Sequence, residues 1–366
     1  MTTHLADLTT IRVGGPVRNL VSVATEAEFI DEIRAADEAG TPLLVVGGGS
    51  NILAADAPFD GVVIRDAREE IRVESQDACG GAAITVTAGT PWESVVEAAI
   101  TNGWMGMEAL TGIPGSTGAT PVQNVGAYGQ EVADIISSVR CWDRAEGRVR
   151  TFAAVDLKFG YRTSIIKRSI GQLGYTPRYV VLSVSFQMRL ASLSAPIRYA
   201  ELARTLDVPL ESRVEASEVR AAVLTLRRRK GMVLDRVDHD TWSAGSFFTN
   251  PIVPTTLIPA GAPAFPAAKP VGPSPHVSDA DPLASDTPVD WAKTSAAWLI
   301  SHAGIERGYS LGTPAALSTK HVLALTNRGG ATAAQLAELA RDVRDRVGRT
   351  YGITLIPEPV LVGLSL

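Results

Sequence analysis

The chain has 366 residues, 45% of them hydrophobic and 20% charged, a balance that suits a soluble globular protein and excludes a disordered one. Its formal net charge of −5, from 34 basic against 39 acidic residues, leaves no overall basic excess to neutralise a nucleic-acid backbone. At ~150 residues per domain, the length predicts two or three domains that can bury a large cofactor between lobes.

The opening stretch, MTTHLADLTTIRVGGP, has no basic region followed by an apolar one, and nowhere does the chain approach the ~18 apolar residues of a membrane span. A cytoplasmic location with no membrane partner is expected. A short apolar run predicts a strand at 20–23. Phe29, Ile30 and Ile33 at helical spacing then predict a helix over 26–39, stopped by Gly40, and PLLVV reads as a buried strand over 42–46. From 61 to 187 the runs GVVIR, AAITVTAG, SSVRCW, RVRTF and YVVLSVSFQM predict an antiparallel or mixed sheet, with one helix over 91–102, as a second, α+β lobe. A helical stretch ends in LRRRKG. Ten of the 22 prolines then fall in 251–290, which predicts an exposed, partly mobile insertion loop, blandly a spacer. In the tail, Thr332 and Gln335 form a capping box opening a helix whose Leu336, Leu339, Val343 and Val347 make one apolar stripe. Gly352 ends it, ITLI follows as a strand, and Pro357, Glu358 and Pro359 come next.

Cys79 and Cys141 have no CxxC or metal-ligand spacing and read as free buried thiols in a reducing compartment. His4, His239, His276, His302 and His321 show no paired spacing, so no metal is expected.

Two glycine-rich segments stand out. In VGGGSNIL, directly after the buried strand, Gly47, Gly48 and Gly49 let the backbone wrap an anion closely, and Ser50 and Asn51 add polar side chains. It lacks the Rossmann spacing, since Ile52 stands where glycine is needed, and it lacks the Gly-Lys of a Walker loop. A tight turn and a phosphate cradle remain equally open for it. The second segment, TGIPGSTGATPVQNVGAYGQ, combines Gly112, Pro114, Gly115, Gly118 and Gly126 with Ser116, Thr120, Gln123, Asn124 and Tyr128. So many donors on a backbone free to curl suit a long polyphosphate ligand better than a structural loop, which would leave backbone polarity unsatisfied. Two such loops suggest one ligand of the shape of FAD, bridging two lobes.

These segments, together with TTIRVGGPV, FGYRTS, LRRRKGMVL, AGSFFTNP, AAWLISHAG, STKHVLAL and the terminal PEPV, resemble the UDP-N-acetylenolpyruvoylglucosamine reductases, also called UDP-N-acetylmuramate dehydrogenases. The resemblance runs over almost the whole chain. It implies an α+β fold of the vanillyl-alcohol-oxidase-like (PCMH-type) kind, with two FAD-binding lobes and a separate α+β substrate-binding domain. Residues 1–65, completed by 352–366, would form the first lobe, 66–210 the second, and 211–351 the substrate domain with its insertion at about 251–290. It further implies noncovalent FAD on the two glycine-rich loops, which contain no His or Cys for a covalent link. NADPH would be the reductant, and a monomer would act on a small-molecule UDP-sugar in peptidoglycan precursor synthesis.

Reducing an alkene conjugated to a carboxylate needs a hydride, stabilisation of enolate-like charge and a proton. An arginine fork suits the carboxylate, and the resemblance gives that role to Arg162, beside Tyr161 in FGYRTS. It makes Ser246 of AGSFFTNP the proton donor, which needs a dry site that Phe247 and Phe248 could supply, and gives Asn250 a substrate contact. Glu358 matches the family's catalytic glutamate. Where family members often read Glu-Val-Arg this chain has Glu358, Pro359 and Val360, so that arginine's role is absent or supplied elsewhere. Lys230, at the end of a basic run that also complements a helix C-terminus, is expected to reach a diphosphate, and Tyr199 to cover the uridine. Two alternatives stand beside this reading: a related FAD-dependent sugar or alcohol oxidase, and a noncatalytic nucleotide-binding module.

Overall fold

The computed structural model of the protein describes residues 2–270, 274–277 and 290–366. The chain forms two compact units, neither of them a single stretch: one comprises Met1–His4, Pro16–Ser50 and Pro58–Val233, the other Leu5–Gly15, Asn51–Ala57 and Leu234–Leu366. Among the described residues no helix is long and apolar enough to cross a membrane.

The first unit is built on two larger sheets, with a two-stranded pair, Gly126–Ala127 and Gln130–Glu131, beside them. Val17–Val23, Phe59–Asp66 and Leu43–Val46 make a parallel sheet in that order. Thr25 caps the intervening helix Glu26–Glu38 in a full capping box with Glu28. The helix buries Phe29, Ile33 and Ala36 against Val23, Leu43 and Ile64. GVVIR therefore belongs to the centre of this parallel sheet and not to the second lobe's antiparallel one. Val63 and Ile64 are both fully buried, as a strand paired on both edges and covered on both faces requires.

The second sheet is antiparallel, in the order Arg148–Ala153, Ile136–Asp143, Tyr179–Leu190, Gly81–Thr87, Ile71–Asp77. Helix Trp92–Thr101 lays Trp92, Val95, Val96 and Ala99 against Ile84, Val86 and Phe186 of that sheet. A pair of helices, Ala200–Leu206 and Ala216–Arg229, closes the unit around Leu202, Val219, Val223 and Leu226.

In the second unit, helix Ala333–Tyr351 is capped by the Thr332–Gln335 box and ended by Gly352 at φ 68°. Its stripe of Leu336, Leu339, Val343 and Val347 is buried, each side chain worth roughly 1.5–3 kcal/mol over exposure. Helix Ala296–His302, the hairpin Ala315–Leu317 with Leu325–Asn327, and Ile11, Val13 and Leu53 complete the same core. The parallel pair Ile52–Ala54 and Val360–Val362 brings the C-terminal residues back to a strand from the first 65.

ITLI is not the predicted strand. Its Ile353 and Leu355 are core residues, but it pairs in no ladder, and the C-terminal strand is Val360–Val362. The expected exposed loop over 251–290 is in part a sheet: Ile252–Pro254 and Ala264–Pro266 flank Trp291–Thr294 antiparallel. Proline is tolerated because both proline-bearing strands are edges and the central strand has none. Residues 271–273 and 278–289 of that stretch lie outside the described residues. Both cysteines are free, but only Cys141 is buried, where burial pushes its thiol up; Cys79 is exposed in a turn.

Candidate active site

Within the first unit the two glycine-rich loops lie against each other. Ser50 Oγ donates to the Pro114 carbonyl at 2.9 Å. A Cβ on Gly48 would stand 2.6 Å from Gly115 Cα, and one on Gly47 would stand 2.2 Å from Ser116 Oγ. At Gly48, where the opposing atoms are backbone, only glycine permits this apposition. The second loop is anchored beneath: Gly118 N–H donates to Ala88 O at 2.9 Å, Trp92 N–H to Gly115 O at 3.0 Å, and Thr120 Oγ1 to Thr117 O at 2.8 Å. Gly112 N–H is taken by Glu93 Oε2 at 2.6 Å, and the same carboxylate accepts from Thr111 Oγ1 and Arg220. By contrast, Gly47 and Gly48 are exposed, and among the described residues no protein acceptor engages the N–H groups of Gly47, Gly48 or Gly49. A cradle of free N–H groups walled by a second glycine-rich backbone fits the pyrophosphate of a dinucleotide such as FAD.

Asn124, Tyr128 and Arg162 are all non-glycine residues at positive φ, 50°, 49° and 53°. Such strain persists only where the surroundings hold it. Asn124, buried, donates to Glu131 Oε2 at 2.7 Å and Gly160 O at 3.2 Å and accepts from Ala133 N–H at 3.1 Å. Arg162 sits in the tight Gly160–Thr163 turn, whose ends exchange two hydrogen bonds. Its guanidinium lies 5.4 Å from the Tyr161 ring and donates to Asn124 O at 3.3 Å and Gly126 O at 2.7 Å. A Cβ on Gly126 would stand 2.8 Å from both Gln130 O and Glu131 Cγ and 3.3 Å from Arg162 Nη1, so glycine is needed first for the close approach of the 130–131 backbone. Ser164 Oγ donates to Val122 O at 2.6 Å, and Lys167 Nζ to Gln123 Oε1 at 3.5 Å, which ties FGYRTS to the second loop.

Tyr128 meets Tyr199 edge-on, centroids 5.4 Å apart, with Lys230 Nζ 5.5 Å from its ring. Lys230 is paired with Glu201 at 2.5 Å, and Tyr199 is 43% exposed, available to cover a ligand. Burial pushes the Tyr128 phenol up to about 12, with Arg227 pulling against it, so it is a neutral donor at physiological pH. Burial likewise pulls Arg227 below the usual arginine range; its guanidinium donates to Gly112 O at 3.2 Å and Met232 O at 2.8 Å.

In the second unit Ser246 and Glu358 share a backbone junction. Gly245, at φ 73°, turns the chain so that Ser246 is half-buried ahead of the buried Phe247 and Phe248, whose rings meet at 5.1 Å. Glu358 N–H donates to Phe247 O at 2.8 Å, and Phe248 bridges to Pro357. Asn51 joins the same place, Nδ2 donating to Glu358 O at 3.3 Å while its carbonyl accepts from Val360 N–H at 2.9 Å. Asn250 Oδ1 accepts from Ala296 N–H at 3.0 Å, at the start of helix Ala296–His302.

The structure thus gathers Gly47–Ser50, the 111–130 loop, Tyr161, Arg162, Tyr199 and Lys230 in one unit, and Asn51, Ser246, Asn250 and Glu358 in the other. Glu93, Glu131 and Glu201, which hold the first group in place, carried no motif that would have singled them out, and Arg227 stood out only as part of the basic run LRRRKG.

Two family models match the chain: "FAD binding domain" over residues 17–153 and "UDP-N-acetylenolpyruvoylglucosamine reductase, C-terminal domain" over residues 236–362. The chain is 50% identical to the UDP-N-acetylenolpyruvoylglucosamine reductase of Cutibacterium acnes, covering 99% of this chain and 90% of the relative. It is 52% identical to that of Saccharopolyspora erythraea, covering 99% and 95%. Among solved structures it is similar to the UDP-N-acetylenolpyruvylglucosamine reductase of Thermus caldophilus, with 25% identity, a TM-score of 0.60 and coverage of 99% of this chain and 98% of that one.

Proposed function

The chain belongs to the UDP-N-acetylenolpyruvoylglucosamine reductase family, and from that premise we propose how its own residues carry the reaction. The substrate is the enolpyruvyl ether of UDP-N-acetylglucosamine, the product is UDP-N-acetylmuramate, and the reductant is NADPH, used by a monomer in the cytoplasm. The flavin, when bound, supplies the hydride, delivered to the carbon β to the carboxylate.

Ser246 Oγ gives its proton to the α carbon. A serine hydroxyl is too weak an acid to do so in water, so the buried Phe247 and Phe248 beside it are assigned the exclusion of solvent. Arg162 and Glu358 act on the substrate carboxylate, where negative charge develops, the arginine as a fork and the glutamate by orienting its proton. Lys230, Tyr161, Tyr199 and Asn250 are assigned to binding, and residues 211–351 to the substrate domain. The Gly47–Ser50 and 111–130 loops are assigned to FAD.

The observation that best supports this reading is the hydrogen bond from Glu358 N–H to Phe247 O, which ties the carboxylate's backbone to the residue next to Ser246. The oxidase alternative is not favoured, because an oxidase needs a base where this chain offers a hydroxyl. The test is spectroscopic. Purified protein should show flavin absorbance, lose it anaerobically on NADPH, and regain it on adding the enolpyruvyl UDP-sugar. Absence of flavin, or peroxide made from a sugar without NADPH, would refute the proposal.

A further inference from the structure

The segment leading into Glu358 has an unusual source of backbone partners. Residues 353–356 belong to no helix or ladder, and Ile353 and Leu355 are fully buried, so the backbone groups of this segment must be satisfied locally. On the Glu358 side this is done by the chain around Ser246: Thr249 N–H donates to Ile356 O at 3.0 Å and Glu358 N–H to Phe247 O at 2.8 Å. At Thr354 both backbone groups go to one residue of the proline-rich stretch. Thr354 N–H donates to His276 O at 3.0 Å, and Thr354 O lies 2.9 Å from His276 Nδ1, which must carry the proton to donate there.

His276 is itself 7% exposed and fixed from its own side. Its N–H donates to Ser274 Oγ at 3.4 Å, Ser274 Oγ donates to Ile252 O at 3.3 Å, and Val277 packs on the unit's main core. Burial lowers the imidazole's affinity for a second proton, which keeps it the neutral donor the bond requires. A spacer would have no reason to bury a histidine or to complete another segment's hydrogen bonding.

We infer that His276 is a positioning residue for Glu358: through Thr354, it fixes the segment 353–356 that sets where the Glu358 carboxylate points. The inference rests on the proposed role of Glu358 in reducing the enolpyruvyl group. That role belongs to the sugar-dependent half of the cycle, so His276 should matter there and not in the reduction of flavin by NADPH. A merely structural histidine would affect both halves together.

The experiment compares wild type, His276→Ala, His276→Asn and Glu358→Gln as FAD-loaded full chains, by anaerobic stopped flow with NADPH and then with the enolpyruvyl UDP-sugar, alongside thermal melting. His276→Ala should reoxidise about 10- to 100-fold more slowly, the cost of a small misplacement of a reacting group, while its flavin bleaches at the wild-type rate. His276→Asn, whose amide can donate to Thr354 O, should recover most of the loss. If Glu358→Gln is slow but His276→Ala reoxidises normally, the inference is wrong and the reading of Glu358 stands. If Glu358→Gln reoxidises normally, the reading of Glu358 itself fails. A parallel fall of both half-reactions in His276→Ala also overturns the inference. Should the alanine variant not fold, His276→Leu, which fills the space without a donor, takes its place under the same criteria.

Discussion

Replacing Gly48 by alanine probes the apposition of the two glycine-rich loops. The added Cβ would stand 2.6 Å from Gly115 Cα, 3.1 Å from its nitrogen and 3.2 Å from its carbonyl carbon. All three are backbone atoms, so no rotamer change relieves them, and the loops must part by roughly 1 Å to reach ordinary contact. Overpacking of this kind costs about 1–3 kcal/mol. If the loops hold FAD between them, that strain falls on the cofactor site, and at 1.4 kcal/mol per decade the affinity should drop about 5- to 150-fold. Gly47→Ala is the internal comparison, because its 2.2 Å clash is with Ser116 Oγ, a side-chain atom that can rotate away. The assay is titration of deflavinated protein with FAD, followed by fluorescence quenching. Gly48→Ala binding FAD as tightly as wild type, despite a lowered melting temperature, would show that the loop pair serves the fold and not the cofactor.

Further outcomes follow from the same geometry. Asn124→Ala should lose about 3 kcal/mol in urea unfolding, from its broken buried bonds and the positive φ, while Asn124→Gly, free of the backbone strain, should be about 1 kcal/mol more stable than the alanine variant. Arg162→Lys loses the fork that reaches both Asn124 O and Gly126 O; it should slow sugar-dependent reoxidation about 10- to 100-fold and raise the KM for the sugar while leaving flavin reduction by NADPH near wild type. His276, held below the ordinary histidine value by burial, binds its proton more readily in the unfolded chain. The stability it contributes is therefore complete above about pH 6.5 and lost as pH falls towards its folded value. Denaturant midpoints at pH 7.5 and 5.5 should differ more for wild type than for His276→Asn.

Much of the fold was legible where its elements are local. The helix at Glu26–Glu38, the capping box at Thr332 and the buried stripe that follows it are periodic patterns whose burial the structure reproduces. The glycine-rich loops were visible from composition, though what each glycine does was not: Gly118 is required by Ala88 and Gly48 by Gly115, neighbours that only the fold supplies. GVVIR was misassigned because a short apolar run looks alike in a parallel and an antiparallel sheet. ITLI reads as a strand by residue type, but its partners are His276 and Thr249 and not a neighbouring strand. The return of Leu5–Gly15 and Asn51–Ala57 to the C-terminal unit is long-range, and nothing in either stretch announces it. Glu93 and Glu201 hold the site through distant partners, and they and Glu131 look, in sequence, like any surface carboxylates.

The central claim is that the Ser246 hydroxyl delivers the proton once hydride has moved. Ser246→Ala, loaded with FAD and followed by anaerobic double mixing, tests it most directly. Bleaching by NADPH should match wild type, while recovery of flavin absorbance on adding the enolpyruvyl UDP-sugar should slow by about 10²- to 10⁴-fold, the usual worth of a general acid. Recovery at the wild-type rate would contradict the account and remove Ser246 from the chemistry.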